Sequence, residues 1–320
     1  MRGGVKRWVI VGAAALLAAM SGSSHAEDSL RVAKGASRAY SFMMLDVGLG
    51  ADIFKKHNLN IEESSIDGAA RLHQAMVADS IDIALGAGTD IGFIAKGSPE
   101  KGVGVMATIP LNMALTVRAD SPIKNMDGLK GKTIGVTSAG SLTDWFARQI
   151  NYREGWKDSD AATIAALGSA DGTTSALIAG NIDALVGSVE GGYSLELQHR
   201  ARVLFAFGDF VKPFITHAIY ATNKLQADRP QVLRSFLAAW YETIRYMRGH
   251  KAETIKTVQP MIKLPEEWLA KVYDVEKPMF PTDGHYDPQA LKVVAQSLID
   301  TQQMDANTDP HRLITEQYLP

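Results

Sequence analysis

Several short segments place polar side chains beside glycine, where an apolar run ends. Gly35-Ala36-Ser37-Arg38-Ala39-Tyr40 offers a hydroxyl, a planar cationic fork and an aromatic face, next to a glycine that lets a backbone approach closely. Gly86-Ala87-Gly88-Thr89-Asp90 and Thr137-Ser138-Ala139-Gly140-Ser141 are small, hydroxyl-bearing turns that open helical segments. Free amides at such a helix start can hold an anion. Gly168-Ser169-Ala170-Asp171, Ser188 and Glu190 follow later apolar runs, and His217 and Phe214 sit together near a further one. With ring faces from Phe42 and Trp145, this mixture suits the binding of a small molecule. Each residue also has a plainer reading. Arg38 can be a solvated charge, His217 a core or surface histidine, and Phe42 and Trp145 can pack beneath helix starts. Any strand-to-helix unit needs a small-residue turn. Asp144 would repel an anion if it faced inward, whereas a capping box with Ser141 would turn it outward. The expected ligand contacts are Ser37, Arg38, Tyr40, Thr89, Ser138, Ser141, Ser188, Glu190 and His217.

Nothing in the pattern points to catalysis. The chain has no cysteine, which excludes thiolate nucleophiles, thiolate zinc sites and cysteine-bound iron–sulfur clusters. Its eight histidines form no i, i+4 pair with a nearby glutamate, and there is no Gly-x-Ser-x-Gly elbow. The Gly86–Asp90 turn lacks the Lys-Ser/Thr ending of a phosphate loop. Asp283-Gly284-His285-Tyr286-Asp287 lacks the calcium-loop spacing and reads as a polar turn before a helix at Pro288. The expectation is no catalytic residue, no metal, no cofactor and no enzymatic activity.

Composition narrows the class further. In 320 residues, 46% are hydrophobic and 21% charged, the balance of a globular chain of up to two domains. A formal charge of −2 disfavours nucleic acid, whose phosphates need a basic surface. Arg2, Lys6 and Arg7 precede an apolar run, Trp8 to Met20, and then small residues ending Ser24-His25-Ala26. That is the layout of a secretory signal, expected to be cleaved near Ala26 and to send the chain to the periplasm. A helix over that run rises only about 20 Å, short of a hydrocarbon core of about 30 Å.

The elements that must position these residues alternate. Apolar strands are expected at 30–34, 59–62, 81–85 and 103–108, with helices ending at His57 and spanning 69–78. The grammar restarts at Lys132, with strands at 133–136, 163–167, 182–186 and 202–207 and helices over 141–152 and 173–179. Such alternation implies βαβ units and parallel strands. The halves also match: Ala75 to Leu85 and Ala176 to Val186 each run from a helix through a tight turn into an Ile-Asp strand, offset by 101 residues. A period that long is a duplicated domain, not a solenoid. The rest is helical, with Leu233, Phe236, Leu237, Trp240, Ile244 and Met247 as one apolar stripe. Two β-like segments, 113–118 and 216–222, lie where one half meets the other. They predict two crossings, a discontinuous first lobe and a hinge.

Three segments resemble a known family. Asp52-Ile53-Phe54-Lys55-Lys56-His57-Asn58-Leu59-Asn60-Ile61, Asp127-Gly128-Leu129-Lys130-Gly131-Lys132-Thr133-Ile134-Gly135-Val136 and Asn181-Ile182-Asp183-Ala184 are similar to elements of periplasmic substrate-binding proteins for nitrate, taurine and alkanesulfonates. The resemblance covers nearly the whole chain after the signal segment. It departs at Gly191, where family members often carry proline after the glutamate. It implies a type II periplasmic binding protein fold: two α/β lobes, each a mainly parallel sheet flanked by helices, joined by two crossing strands. The expected division is 1–26 signal, 27–116 with 219–320 lobe one, and 117–218 lobe two. The implied role is the solute receptor of an ABC importer, a monomer with a membrane permease and its ATPase as partners. A sulfonate or carboxylate fits Arg38 and the helix-start amides best. Alternatives are a pyrimidine or other heteroaromatic solute, or a sensing module that presents its ligand to a membrane receptor. A cytosolic thiamine-pyrimidine synthase family shares the fold, but carries a cysteine-rich motif that this chain lacks.

Overall fold

The computed structural model describes residues 1, 3, 27–300 and 302–320. The expected signal segment therefore falls, apart from Met1 and Gly3, outside the described residues. Among the described residues ten strands form: β1 Asp28–Lys34, β2 Leu59–Ser65, β3 Ile83–Ala87, β4 Glu100–Ala107, β5 Met113–Arg118, β6 Thr133–Val136, β7 Thr163–Ala166, β8 Ala184–Ser188, β9 Ala201–Ala206 and β10 His217–Thr222. They make two five-stranded sheets, ordered β2-β1-β3-β10-β4 and β7-β6-β8-β5-β9. The orders coincide once β10 and β5 are exchanged. The starts of β3 and β8, and of β4 and β9, are 101 residues apart, as the sequence repeat requires.

Each sheet is mixed. β1 runs parallel to β2 and β3, and β6 parallel to β7 and β8. β10 is antiparallel to β3 and β4, and β5 antiparallel to β8 and β9. The reason lies in the crossings, which are residues 108–112 and 207–216. Each delivers the chain to the edge where the parallel strands finish, so the next strand must run back: His217 opens β10 opposite Ala87, and Met113 opens β5 opposite Ser188.

The repeated Ile-Asp pair has a structural cause. Ile81 and Ile182 are buried. The Asp82 carboxylate accepts the Arg31 amide N–H at 2.9 Å, and Asp183 accepts that of Thr133 at 2.9 Å. Each aspartate thus ties the strand that follows it to the parallel strand beside it, β1 in one sheet and β6 in the other. The helix Pro230–Gly249 turns its stripe inward. Leu233, Phe236, Leu237, Trp240, Ile244 and Met247 are fully buried in one cluster with Leu30, Val32 and Leu85 of the first sheet. Each such side chain contributes roughly 2 kcal/mol by leaving water. The C-terminal helices therefore belong with the first sheet. Asn58 stops its helix in the left-handed conformation, φ 57°, as its type suggests. Asp287 accepts the amides of Gln289 and Ala290 and so starts the Pro288–Asp300 helix.

Candidate functional site

The carboxyl ends of the parallel strands face each other across the crossings. Asn112 is the joint. Its carbonyl accepts the Val189 amide, just past β8, at 2.8 Å. Its side-chain nitrogen reaches Ser41 Oγ at 3.3 Å and His217 Nε2 at 3.0 Å, both on the first-sheet side. Gly88 approaches the return crossing closely and donates to the Thr216 carbonyl at 2.9 Å; a Cβ at Gly88 would overlap the Ile215 carbonyl. Further links span the two sides. Tyr40 N–H donates to Glu190 Oε1 at 2.8 Å, Arg38 lies 3.5 Å from Asp171, and Gly140, with φ 75°, comes against Gln303 of the C-terminal tail.

Buried polar atoms without partners gather at these edges: Tyr40 Oη, Thr89 Oγ1, Asn112 Oδ1, Trp145 Nε1 and His217 Nδ1. An unpaired buried polar group costs free energy, so such a set marks a place prepared for a ligand's donors and acceptors. Rings frame it. Phe42 packs on His217 with centroids 4.7 Å apart, and Trp145 stacks on Phe214 at 4.4 Å. Burial drives the His217 pKa down to about 3, so the imidazole is neutral.

The helix starts at these edges already hold negative charge. Asp90 accepts the Ala87 amide at 2.9 Å, and Asp144 accepts the Gly140 amide at 2.9 Å. Glu190 occupies the first turn of the Val189–Leu197 helix, and Asp171 that of the Ala170–Ala179 helix. The hydroxyls of the second turn are also engaged, since Thr137, Ser141 and Thr143 bond one another at 2.9 to 3.1 Å. The cations are committed as well. Lys34 is buried between Asp46, at 2.8 Å, and Glu63, while Arg38 is exposed and paired with Asp171.

Beneath the Ala87–Asp90 turn lies a second polar knot. His73, buried, stands 3.1 Å from Asp90 Oδ2 and 2.8 Å from Glu100 Oε1. Burial opposes its charge, but the two carboxylates outweigh it and raise its pKa to about 9. The ring stacks on Phe93 at 4.6 Å. His73 therefore braces the turn that presents Thr89.

The NMT1/THI5-like family model matches residues 48–254, well over half of the chain. This chain belongs to the NMT1/THI5-like family. No curated protein matches it in sequence. Its fold is that of periplasmic binding proteins. The periplasmic aliphatic sulphonate binding protein SsuA from Escherichia coli superposes with a TM-score of 0.75 over 90% of this chain and 92% of that one, at 18% identity. A zinc-bound ligand binding component of an ABC-type import system from Staphylococcus aureus gives 0.75 over 91% and 97%, at 11% identity. The desulfurization enzyme DSZB shares the fold too, at 0.67 over 91% and 97%, with 14% identity. The match to this family begins after the 35–40 turn and ends before Glu276, so those parts of the edge lie outside it.

Among the residues expected from sequence, Tyr40, Thr89, Glu190 and His217 are buried at the facing edges. Ser188 and Ser141 cap helices there, accepting the amides of Gly191 at 3.2 Å and Asp144 at 3.3 Å. Ser37 is held by Asp67, at 2.7 Å through its amide and 3.0 Å through its hydroxyl. Ser138 and Arg38 are exposed on the rim. Asp144 does form the expected cap with Ser141, yet it is buried rather than turned to solvent. Sequence reasoning missed Ser41, Asn112, His73 and Glu276. Asn112 had a signal, since it stands immediately before the expected crossing strand. Glu276 had none, because its partner is 86 residues away.

Proposed function

We propose that this protein is the exported solute receptor of an ABC-type import system and that it closes around a small, neutral or protonated heteroaromatic molecule. The carrying observation is the set of unpaired buried atoms, Thr89 Oγ1, Asn112 Oδ1, Trp145 Nε1 and His217 Nδ1, at the facing edges of two sheets of equal strand order. Neighbours described as a periplasmic sulphonate binding protein and as an ABC-type ligand binding component support the transport role. The signal-like start of the sequence supports export to the periplasm, and no helix among the described residues is long and apolar enough to cross a membrane. A permease with its ATPase is the implied partner. The absence of any cysteine and of a Gly-x-Ser-x-Gly elbow supports a binding role over an enzymatic one. We divide the chain into two lobes at the crossings, one sheet in each, with 108–112 and 207–216 as the hinge.

The ligand's charge follows from the helix starts. Asp90, Asp144 and Glu190 sit where an anion would need free amides, and neither Lys34 nor Arg38 is uncommitted. A donor-bearing or protonated ring suits this field better than a sulfonate or carboxylate. The anionic reading keeps support from the sulphonate-binding neighbour and from Arg38 on the rim. A thermal-shift screen of the refolded mature chain tests both, using aminopyrimidines, other nitrogen heterocycles, sulfonates, carboxylates and nitrate. A ligand at 1,000 times its Kd adds about 4 kcal/mol to the folded state. Shifts confined to heterocycles support the proposal. Shifts confined to sulfonates replace the ligand class. No shift from any class overturns the proposal.

A further inference from the structure

Glu190 and Glu276 come from opposite sides of the cleft and meet away from water. Glu190 opens the Val189–Leu197 helix, which packs on β5, β8 and β9 of the second sheet. Glu276 closes the Glu266–Glu276 helix, which packs on Lys251–Ile262 and, through it, on the core of the first sheet. Tyr193 and Trp268 continue the same contact, with ring centroids 5.4 Å apart. Glu190 is 3% exposed and Glu276 0%.

Neither oxygen of Glu276, nor Oε2 of Glu190, has a donor, and each carboxyl lies in the field of the other. Two ionised carboxylates do not persist together away from water, so one carries a proton, which it can donate to the other. Glu190 Oε1 already accepts the Tyr40 amide, and its place in the first turn of a helix favours its charge. Glu276 lies in the last turn of its helix, where negative charge is disfavoured, and its oxygens have no other donor. The proton therefore sits on Glu276 and is donated to Glu190. Burial, and then the Glu190 charge, hold the Glu276 carboxyl well above the usual carboxylate range. The neighbouring groups do not neutralise the pair. Tyr40, Tyr193 and Tyr273 are uncharged, with pKa values raised by burial. Glu196 and Asp274 add negative charge, and Lys277 sends its ammonium over the Tyr273 ring, 5.5 Å from its centroid.

We propose that this carboxyl–carboxylate pair is a proton-loaded latch: closing the two lobes over the solute takes up one proton, and opening releases it. In the open form both carboxylates face water and ionise. On closure Glu276 binds a proton from solvent, and its O–H donates to the Glu190 carboxylate. The latch rests on the two-lobe closure proposed above. Between the ordinary carboxylate range and the raised value of the closed pair, each unit rise in pH lowers the closed-to-open ratio by up to about tenfold. Solute is therefore held more tightly on the acid side of that window.

The test needs no solute. The chain lacks cysteine, so the exposed Val77 and Tyr152, on helices of the first and second lobe, can be replaced by cysteine and spin-labelled without background. The distance between labels is then measured across the pH window. Wild type is expected to populate longer distances as pH rises. Glu276→Gln, whose amide N–H donates to Glu190 at any pH, is expected to stay closed throughout. Infrared spectra of the unlabelled full chain at neutral pH should show a protonated-carboxyl band that E276Q lacks. A pH-independent distance in wild type overturns the latch, as does the same pH response in E276Q. If the latch behaves as expected while no solute is found, the receptor reading fails alone. If a solute binds and the lobes ignore pH, the latch fails alone.

Discussion

Two histidines at the site show how surroundings set charge. His217 is buried beside neutral groups and stays neutral, whereas His73 is equally buried but flanked by two carboxylates and stays charged. For His73 the folded-state pKa, about 9, stands above the ordinary 6.5. Its contribution is therefore complete below about pH 6.5 and lost as pH rises through about 9, about 3 kcal/mol in all. Urea unfolding should show this alkaline loss in wild type and not in His73→Gln. Arg38 is the opposite case. Its pairing with Asp171 is exposed on both sides, and such pairs contribute at most about 1 kcal/mol. Arg38→Ala should leave stability nearly unchanged and, for a heteroaromatic solute, leave the calorimetric Kd unchanged. A tenfold loss of affinity would return weight to an anionic ligand.

At the scale of elements, two contacts hold the site in register. Asp82 and Asp183 do the same work in the two sheets, each accepting the amide of a neighbouring strand. Asp82→Ala and Asp183→Ala should each cost about 1–3 kcal/mol in chemical denaturation, because each leaves a partly buried N–H without its acceptor. Asp82 should cost more, since it also pairs with Arg31 at 2.6 Å. The second contact is the close approach of Gly88 to the return crossing. Gly88→Ala has no room for its methyl group, so the turn or the crossing must shift. A loss of about 1–3 kcal/mol is expected, with weakened solute binding even though the substituted residue contributes no side chain. Retained affinity would mean that the turn does not position Thr89.

For the whole molecule, the order of strands separates two kinds of sheet. β5 to β9 are contiguous and complete the second sheet, whereas the first sheet needs β1 to β4, β10 and the helices after it. A fragment spanning 112–207 holds every strand of its sheet and exceeds the roughly 60 residues at which small domains begin to fold alone. It should show native-like circular dichroism and a cooperative urea transition. A chain ending at 222 loses the helix that buries Trp240 against the first sheet, and should not fold. Equal behaviour of the two fragments would contradict the division into lobes.

Local order was legible in the sequence because it rests on local physics. Apolar periodicity announced the strands and the Pro230–Gly249 stripe, and an offset of 101 residues announced two sheets of equal order. Asn58, Ser141 and Asp287 act as their types suggest. Of the turns singled out at the carboxyl ends of strands, one brings Gly88 against Thr216 and another brings Gly140 against Gln303. What those turns do was decided only in three dimensions. Ser37 looked available until Asp67, 30 residues on, was seen to hold it, and Asp144 looked outward until it was found buried against the Gly140 amide. The antiparallel β5 and β10 follow from where each crossing enters a sheet, which periodicity does not encode. The burial of Glu190 and Glu276 side by side depends on two helices from different parts of the chain packing together. Residue type and spacing determine which elements form. Which charges remain free for a ligand is a matter of long-range contact, and only the tertiary structure decides it.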